Sequence, residues 1–340
     1  MALAAALAAC GGGSGSPDAA TGPPVAVDAA GWKTITDAAN SEGKLVAYVS
    51  LTGMEPVFAD FMRDYPGIKV TVSQVPTADL LPRLDQELSV GAKGADVTFH
   101  ASPGWFVDNS KAGNFSTLKL GPEAQETGAV QRVGATNFAG VYGFPNVISY
   151  RTSQPKPENI KQLLDTNPQA KIGLVDPGRS SPAVSYQYKV LQEAYGNDIL
   201  ERLSKANVTV VPSNPQLTEG IASGAFDYAY PDIASITQKV IDKGAPVASV
   251  VPADKSVAGV HYNTAILRTA VNANAAEVFV NWLMGERGAT SLAAHLKPAV
   301  TPVKVNGSIG WNDVNTFDVA TWTTPVQNDW IAKNFTPYFH

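Results

Sequence analysis

One stretch constrains the fold more than any other: residues 171–196, KIGLVDPGRSSPAVSYQYKVLQEAYG. Residues 172–175 are a short apolar run that reads as a buried strand, and Asp176-Pro177-Gly178 reads as a tight turn. Ser181 stands where a helix N-cap belongs, and Pro182 fits the first helical position, where its missing N–H is no loss. Val184, Tyr188, Leu191 and Tyr195 then fall on one helical stripe, which Gly196 closes. A strand that runs into a serine-capped helix start brings hydroxyls and free backbone N–H groups together, which is a cradle for an anion. Ser180 adds a second hydroxyl and Arg179 a positive charge. An ordinary capped helix accounts for the same residues, and both readings stand at this point.

The rest of the chain repeats the alternation. A helix over 31–41 leads into a strand over 45–50, and Thr52-x-x-Glu55 has the form of a capping box for a helix burying Met54, Val57, Phe58, Phe61 and Met62. A strand over 68–75, a helix over 77–90 containing Pro82, and a strand over 95–100 follow. That strand runs into Ser102-Pro103-Gly104-Trp105, a second Ser-Pro junction between strand and helix. Such alternation predicts βαβ units and mostly parallel sheets, with ligands bound beyond the carboxyl ends of the strands. Ser50, Thr52, His100, Ser102, Ser180 and Ser181 all lie at such ends.

The run YGFPNVISYR, broken by Pro145, reads as a first crossing between two lobes, and 257–267 as the return. Between them the pattern predicts a helix over 158–164 and a strand over 208–211. A helix capped by Asn214-Pro215, a strand over 226–230 and a helix opened by Pro231-Asp232 complete that lobe. The divisions expected are a leader and tether over 1–30, one lobe from 31–141 plus 258–296, and a second lobe over 142–257. A Trp-, Thr- and Asn-rich tail over 297–340 is assigned to neither lobe.

Composition narrows the function. With 340 residues, 44% hydrophobic and 16% charged, the chain can bury a large core, and a net charge of −5 without Lys/Arg runs argues against a nucleic-acid partner. The single cysteine, Cys10, excludes an intramolecular disulfide and a thiolate metal cluster. It ends an apolar small-residue segment, Leu7-Ala8-Ala9-Cys10, and the flexible run GGGSGSPDAATGPP follows. This resembles a bacterial lipobox, which implies an exported chain held to a membrane face by a lipid on Cys10, not a spanning one.

Four histidines at 100, 261, 295 and 340 show no metal-binding spacing. His100 and His261 are candidates for a cleft, as are Trp105, an aromatic wall, and Tyr186, which lies off the buried stripe of its helix. Tyr230 and Asp232 are placed to bind an amine or hydroxyl, although Asp232 equally fits a first-turn acid on a helix dipole. Proline directly after Ser102 and Ser181, with no G-x-S-x-G elbow, favours caps over nucleophiles. Neither G-x-x-x-x-G-K-[ST] nor G-x-G-x-x-G occurs, so a binding protein without enzymatic activity or cofactor is expected.

Five segments in order carry a family resemblance: GKLVAYVSLTGMEPVFADFMRDYPGIKV, ADVTFHASPGWF, the 171–196 stretch, IASGAFDYAYPDIASI and AAEVFVNWLMGERG. They resemble the extracellular solute-binding proteins of ABC importers, in the group with ferric-ion, thiamine, polyamine and phosphonate receptors. The resemblance implies a two-lobed periplasmic-binding-protein fold of type II, α/β, with a mixed, mostly parallel sheet in each lobe and crossover strands joining them. It also implies a monomer that delivers a small-molecule ligand to an ABC permease. The cleft would be lined by Ser50, Thr52 and Gly53, by His100 and Ser102, and by Arg179, Ser180 and Ser181, the last three as an oxyanion cradle. Ferric members carry adjacent tyrosines where this chain has Tyr230-Pro231-Asp232, and no Tyr-Tyr pair occurs. The resemblance therefore favours a carboxylate- or phosphonate-bearing organic solute. Ferric iron with a synergistic anion, or a sensory lipoprotein without transport, remains the alternative.

Overall fold

The computed structural model describes residues 22–339 apart from 126, 128, 134, 135, 255, 319 and 320. Cys10 lies outside the described residues. In chain order the first part of lobe 1 is β1 (Val25–Ala26), α1 (Ala29–Glu42), β2 (Lys44–Val49), α2 (Glu55–Asp64), β3 (Lys69–Gln74), α3 (Thr77–Ser89), β4 (Val97–His100) and α4 (Pro103–Lys111). Strands β5 (Lys119–Leu120), β6 (Val130–Val133) and β7 (Thr136–Pro145) complete that part. Lobe 2 holds β8 (Val147–Arg151), α5 (Ile160–Thr166), β9 (Ile172–Val175), α6 (Pro182–Tyr195), α7 (Ile199–Ser204), β10 (Val208–Val211), α8 (Asn214–Ser223), β11 (Tyr228–Asp232), α9 (Ala234–Ile241) and β12 (Val247–Val250). The chain returns to lobe 1 for β13 (Gly259–Ile266), α10 (Ala273–Met284), α11 (Glu286–His295), β14 (Ala299–Thr301) and β15 (Ser308–Gly310), then ends in α12 (Thr324–Asn334).

Each lobe is built on one mixed sheet. In lobe 1 the order is β15-β14-β7-β13-β4-β2-β3, with β6 beside β7; in lobe 2 it is β10-β9-β11-β8-β12. The βαβ strands pair in parallel, β2 with β3 and β4, and β9 with β10 and β11. The strands that cross between lobes, β7, β8, β12 and β13, pair antiparallel with their neighbours. The expected mostly parallel sheets are thus half antiparallel, because a strand that enters or leaves a lobe must run against those wound within it.

Local chemistry sets the helix ends, and three of them differ from expectation. Thr52 does not cap α2: the helix begins at Glu55, and Thr52 and Gly53 form an exposed turn in which Gly53 takes a φ of 81°. α8 is capped by Ser213, whose hydroxyl accepts from Gln216 N; Asn214 is free to donate instead to the Pro231 carbonyl at 2.9 Å. Pro231 and Asp232 extend β11, and α9 starts only at Ala234. Pro82 is accommodated inside α3.

The lobe 1 core packs α2 and α10 on the sheet, where Phe58 stacks on Phe279 at 5.5 Å and Phe61 meets it edge-on at 5.0 Å. The lobe 2 core gathers Leu174, Tyr188, Leu191, Tyr228 and Tyr230, and it includes Phe335 from beyond α12, with Trp330 and Ile331 packed against it. The tail is therefore divided: β14 and β15 extend the lobe 1 sheet, while α12 packs on lobe 2.

Three chain crossings result, not two. At their meeting point Gln187 of α6 accepts from Ala258 N at 2.7 Å and donates to the Ser256 carbonyl at 2.6 Å. Asn146, between β7 and β8, donates to the Ala258 carbonyl from its backbone and its side chain. Asn315 of the third crossing binds the Val257 carbonyl the same way.

Candidate solute-binding cleft

A cavity of about 650 Å³ lies between the lobes, bounded by the starts of α4 and α6, by β13 and by the third crossing. Ser102, Pro103 and Gly104 line it from lobe 1; Ser181, Pro182 and Ala183 line it from lobe 2. Thr323 and Thr324, at the start of α12, form a third such corner. Ser102, Ser181 and Thr323 are N-caps whose hydroxyls make no capping hydrogen bond, and each helix has a proline at its first or second position. The first-turn N–H groups of Gly104, Ala183 and Thr324 have no place in the helical ladder. Three positive helix ends therefore meet around one space. Among the described residues no lysine or arginine lines it, and Asp318 is its one acid.

The remaining wall is aromatic. Trp311 stacks face to face on His261 at 3.6 Å, a contact permitted by glycines on the neighbouring β7. A Cβ on Gly140 would come within 2.5 Å of the Trp311 ring, and one on Gly143 within 2.7 Å of His261. Phe317 and Trp322 line the cavity as well. Tyr186 does not, but it holds both of those rings edge-on at 5.6 Å from behind.

Ser102, Ser181 and His261 thus come together at the cavity, with Asn263 beside them. Burial lowers His261 to about 3, so its imidazole is neutral, and its buried Nε2 has no partner among the described residues. Ser50, Thr52 and Gly53 do not line the cavity; Ser50 is held by its backbone N–H to the Phe99 carbonyl. Ser180 stays outside it too, and Arg179 is turned to Asp176 at 3.6 Å with 73% of its side chain exposed.

Several expected cleft residues belong to the cores. His100 is fully buried and stacked on Phe106 at 4.3 Å, with Nδ1 accepting from Ser102 N, and burial lowers it to about 3. Trp105 packs in the same cluster and donates its indole N–H to Asp85 at 2.7 Å, away from the cavity. Tyr230 is buried in lobe 2, where desolvation raises its hydroxyl well above the usual value. Asp232 is not a first-turn acid: it is fully buried and accepts from Ser149, Thr237, Thr218 and its neighbour Ile233 N. Desolvation raises its carboxyl above the ordinary range. The sequence reading missed the tail residues Trp311, Phe317, Trp322 and Thr323; the cap-and-proline pattern of Thr323-Thr324-Pro325 was the available signal.

Two α/β lobes around a cavity, laced together by crossover segments, define a two-lobed solute-binding protein. The chain belongs to the bacterial extracellular solute-binding protein family, whose model matches residues 52–295. A substrate-binding protein of an ABC transporter from Agrobacterium tumefaciens is 20% identical, with a TM-score of 0.61 over 86% of this chain and 96% of that one. Iron-bound HitA from Pseudomonas aeruginosa is 16% identical, with a TM-score of 0.59 over 85% and 97%. AfuA from Actinobacillus pleuropneumoniae with fructose-6-phosphate bound is 15% identical, with a TM-score of 0.57 over 86% and 99%. These likenesses establish the fold. No curated protein sequence matches the chain.

Proposed function

We propose that this chain is the receptor of an ABC importer, which captures a small oxyanion-bearing organic solute between its lobes and passes it to a permease without altering it. The observation that carries the reading is the meeting of three helix starts, whose capping hydroxyls make no capping hydrogen bond, at a cavity that no lysine or arginine lines among the described residues. Oriented N–H groups at helix starts favour an anion. The volume falls within the roughly 300–1,000 Å³ usual for small-ligand sites. Proteins of the same fold include ABC transporter substrate-binding proteins and one that holds a sugar phosphate. The burial of Tyr230 and Asp232 in lobe 2 and of His100 in lobe 1 supports the anion reading over the ferric alternative.

Titration calorimetry of the purified protein against carboxylates, phosphonates, ferric salts and polyamines tests this. Saturable binding of carboxylates or phosphonates is expected, with the compound recovered chemically unchanged by mass spectrometry. Binding of polyamines alone, a visible tyrosinate–iron band, or released product would overturn it.

We further propose that Cys10 is lipidated and tethers a monomeric receptor to the outer membrane face through the Gly/Ser-rich segment. Cys10→Ala should shift the protein from the membrane to the soluble extracytoplasmic fraction. Unaltered protein recovered from the cytosol would refute the tether.

A further inference from the structure

We infer that the solute carries a hydroxyl group near its oxyanion, and that the side-chain amide of Asn263 is the group that binds it. This rests on the oxyanion reading above and specifies the ligand within it. Asn263 lies on β13 two residues after His261, lines the cavity and is 5% exposed. Its amide forms no hydrogen bond among the described residues, yet neither its oxygen nor its nitrogen is sealed from solvent. The little surface it keeps therefore opens into the cavity. Polar side chains this deeply buried are nearly always paired. Asn146, Asn214 and Asn281 are buried to a similar degree, and each of their amides bonds within the protein.

The local backbone explains why this amide is left free. Tyr262 pairs with Tyr142 and Asn263 with Gly140, so β7 carries an extra residue, Val141, at this place. Bulges of this kind re-aim side chains and are common beside binding sites. Gly140, directly opposite, brings no side chain to partner the amide. The position its Cβ would take is 3.5 Å from Asn263 Oδ1 and 2.5 Å from the Trp311 ring, so amide and indole stand side by side in the wall.

The chemistry of the partner follows. A side-chain amide has one acceptor and one donor group, and here both are unmade. An ionised carboxylate or phosphonate only accepts, so it answers Nδ2 and leaves Oδ1 without a partner. The solute must bring a donor of its own. An ammonium donates, but the positive ends of three helices disfavour a cation beside them. A hydroxyl is neutral and donates to Oδ1, which leaves Nδ2 for the oxyanion or for a second hydroxyl. Ser102 and Ser181, whose hydroxyls make no capping bond, line the same space and hold the head together with the helix N–H groups.

Calorimetry with gluconate and hexanoate, carboxylates of equal chain length with and without hydroxyls, tests the inference on the unaltered protein. Gluconate should bind about tenfold more tightly, or better. Asn263→Leu, similar in size and without an amide, should weaken gluconate about five- to a hundredfold and change hexanoate by less than about twofold. Its circular dichroism and melting temperature establish that it folds. Asn263→Asp, the same shape with a negative charge, should weaken both carboxylates by about tenfold or more, because like charges then face each other. Hexanoate binding as tightly as gluconate would overturn the hydroxyl and leave the oxyanion reading standing. Failure of every carboxylate and phosphonate to bind would remove that reading and this one with it. A folded Asn263→Leu that keeps the parent's gluconate affinity, or loses gluconate and hexanoate equally, would overturn the role of Asn263. So would an Asn263→Asp protein that binds both as the parent does.

Discussion

Asp96→Ala should destabilise lobe 1 by about 4 kcal/mol, read as a fall in its denaturant midpoint. Asp96 is 1% exposed and immediately precedes β4. Its carboxylate accepts from Val46 N at 2.8 Å, from Val271 N and Asn272 N at 2.9 Å each, and from the Asn272 amide at 2.9 Å. One side chain thus ties the second strand of the lobe to the turn that enters α10, some 225 residues apart by the sequence numbers. Alanine leaves four part-buried donors without this acceptor, each costing up to roughly 1–3 kcal/mol before water, which reaches the exposed Val271, offsets part of it. The cavity is remote from these atoms, so affinity for a bound anion well below the melting temperature should be kept. Because the lobes have separate cores, tryptophan fluorescence should be followed together with a lobe 2 probe. A midpoint unchanged to within about 1 kcal/mol would show that the carboxylate is dispensable.

The segments that proved legible in the sequence were those whose information is local. The strand at Ile172–Val175, the Ser181-Pro182 cap and the stripe Val184, Tyr188 and Leu191 each rest on residues a few positions apart, and all are present. What failed depends on facing. His100, Tyr230 and Asp232 do sit at the ends of strands, but the end of a strand has two faces and a core on either side. In lobe 1, His100 turns to the α4 side, under Phe106. In lobe 2, Asp232 is surrounded by Ser149, Thr218 and Thr237, which come from β8, α8 and α9 and meet only in the fold. Arg179 sits in the expected loop, and its side chain turns to Asp176, three residues earlier, instead of lining the cavity.

The tail was illegible for a different reason. Residues 311–318 and 321–323 follow neither the helical nor the strand period, because their side chains meet partners from both lobes. Its one local signal, threonines before Pro325, had the same meaning as Ser102-Pro103 and Ser181-Pro182. Non-local capping hides similarly. The first N–H groups of α10 are satisfied by Glu42 at the far end of α1, at 2.8 Å to Ala275 N, and nothing in the spacing of either segment announces it.

Glu277→Gln should stabilise the protein by about 3 kcal/mol at pH 7 and leave it unchanged near pH 4. Glu277 lies in α10, is 3% exposed, and accepts from Lys119 N at 3.1 Å. Burial raises its carboxyl from 4.5 to about 8, against a smaller lowering by that backbone hydrogen bond and the charge of Lys119. The folded state therefore keeps a proton that the unfolded chain releases above 4.5. Below that value both states are protonated and the site costs nothing. Between about 4.5 and 8 the folded state binds more protons, so its contribution falls by about 1.4 kcal/mol for each pH unit. Above 8 the folded carboxyl ionises and the loss levels off. Glutamine has the shape of the protonated acid, retains an acceptor for Lys119 N, and has no proton to lose. Asn281, one turn on, is undisturbed, since its amide binds Gly121 N and the Lys119 and Glu277 carbonyls. Denaturant titrations of both proteins at pH 4, 5.5, 7 and 8.5 give the difference directly, with every other titrating group cancelling. A gap that opens with pH up to about 8 and then holds is the expected result. Two curves that stay parallel from pH 4 to 8.5 would mean that Glu277 titrates alike in the folded and unfolded chain.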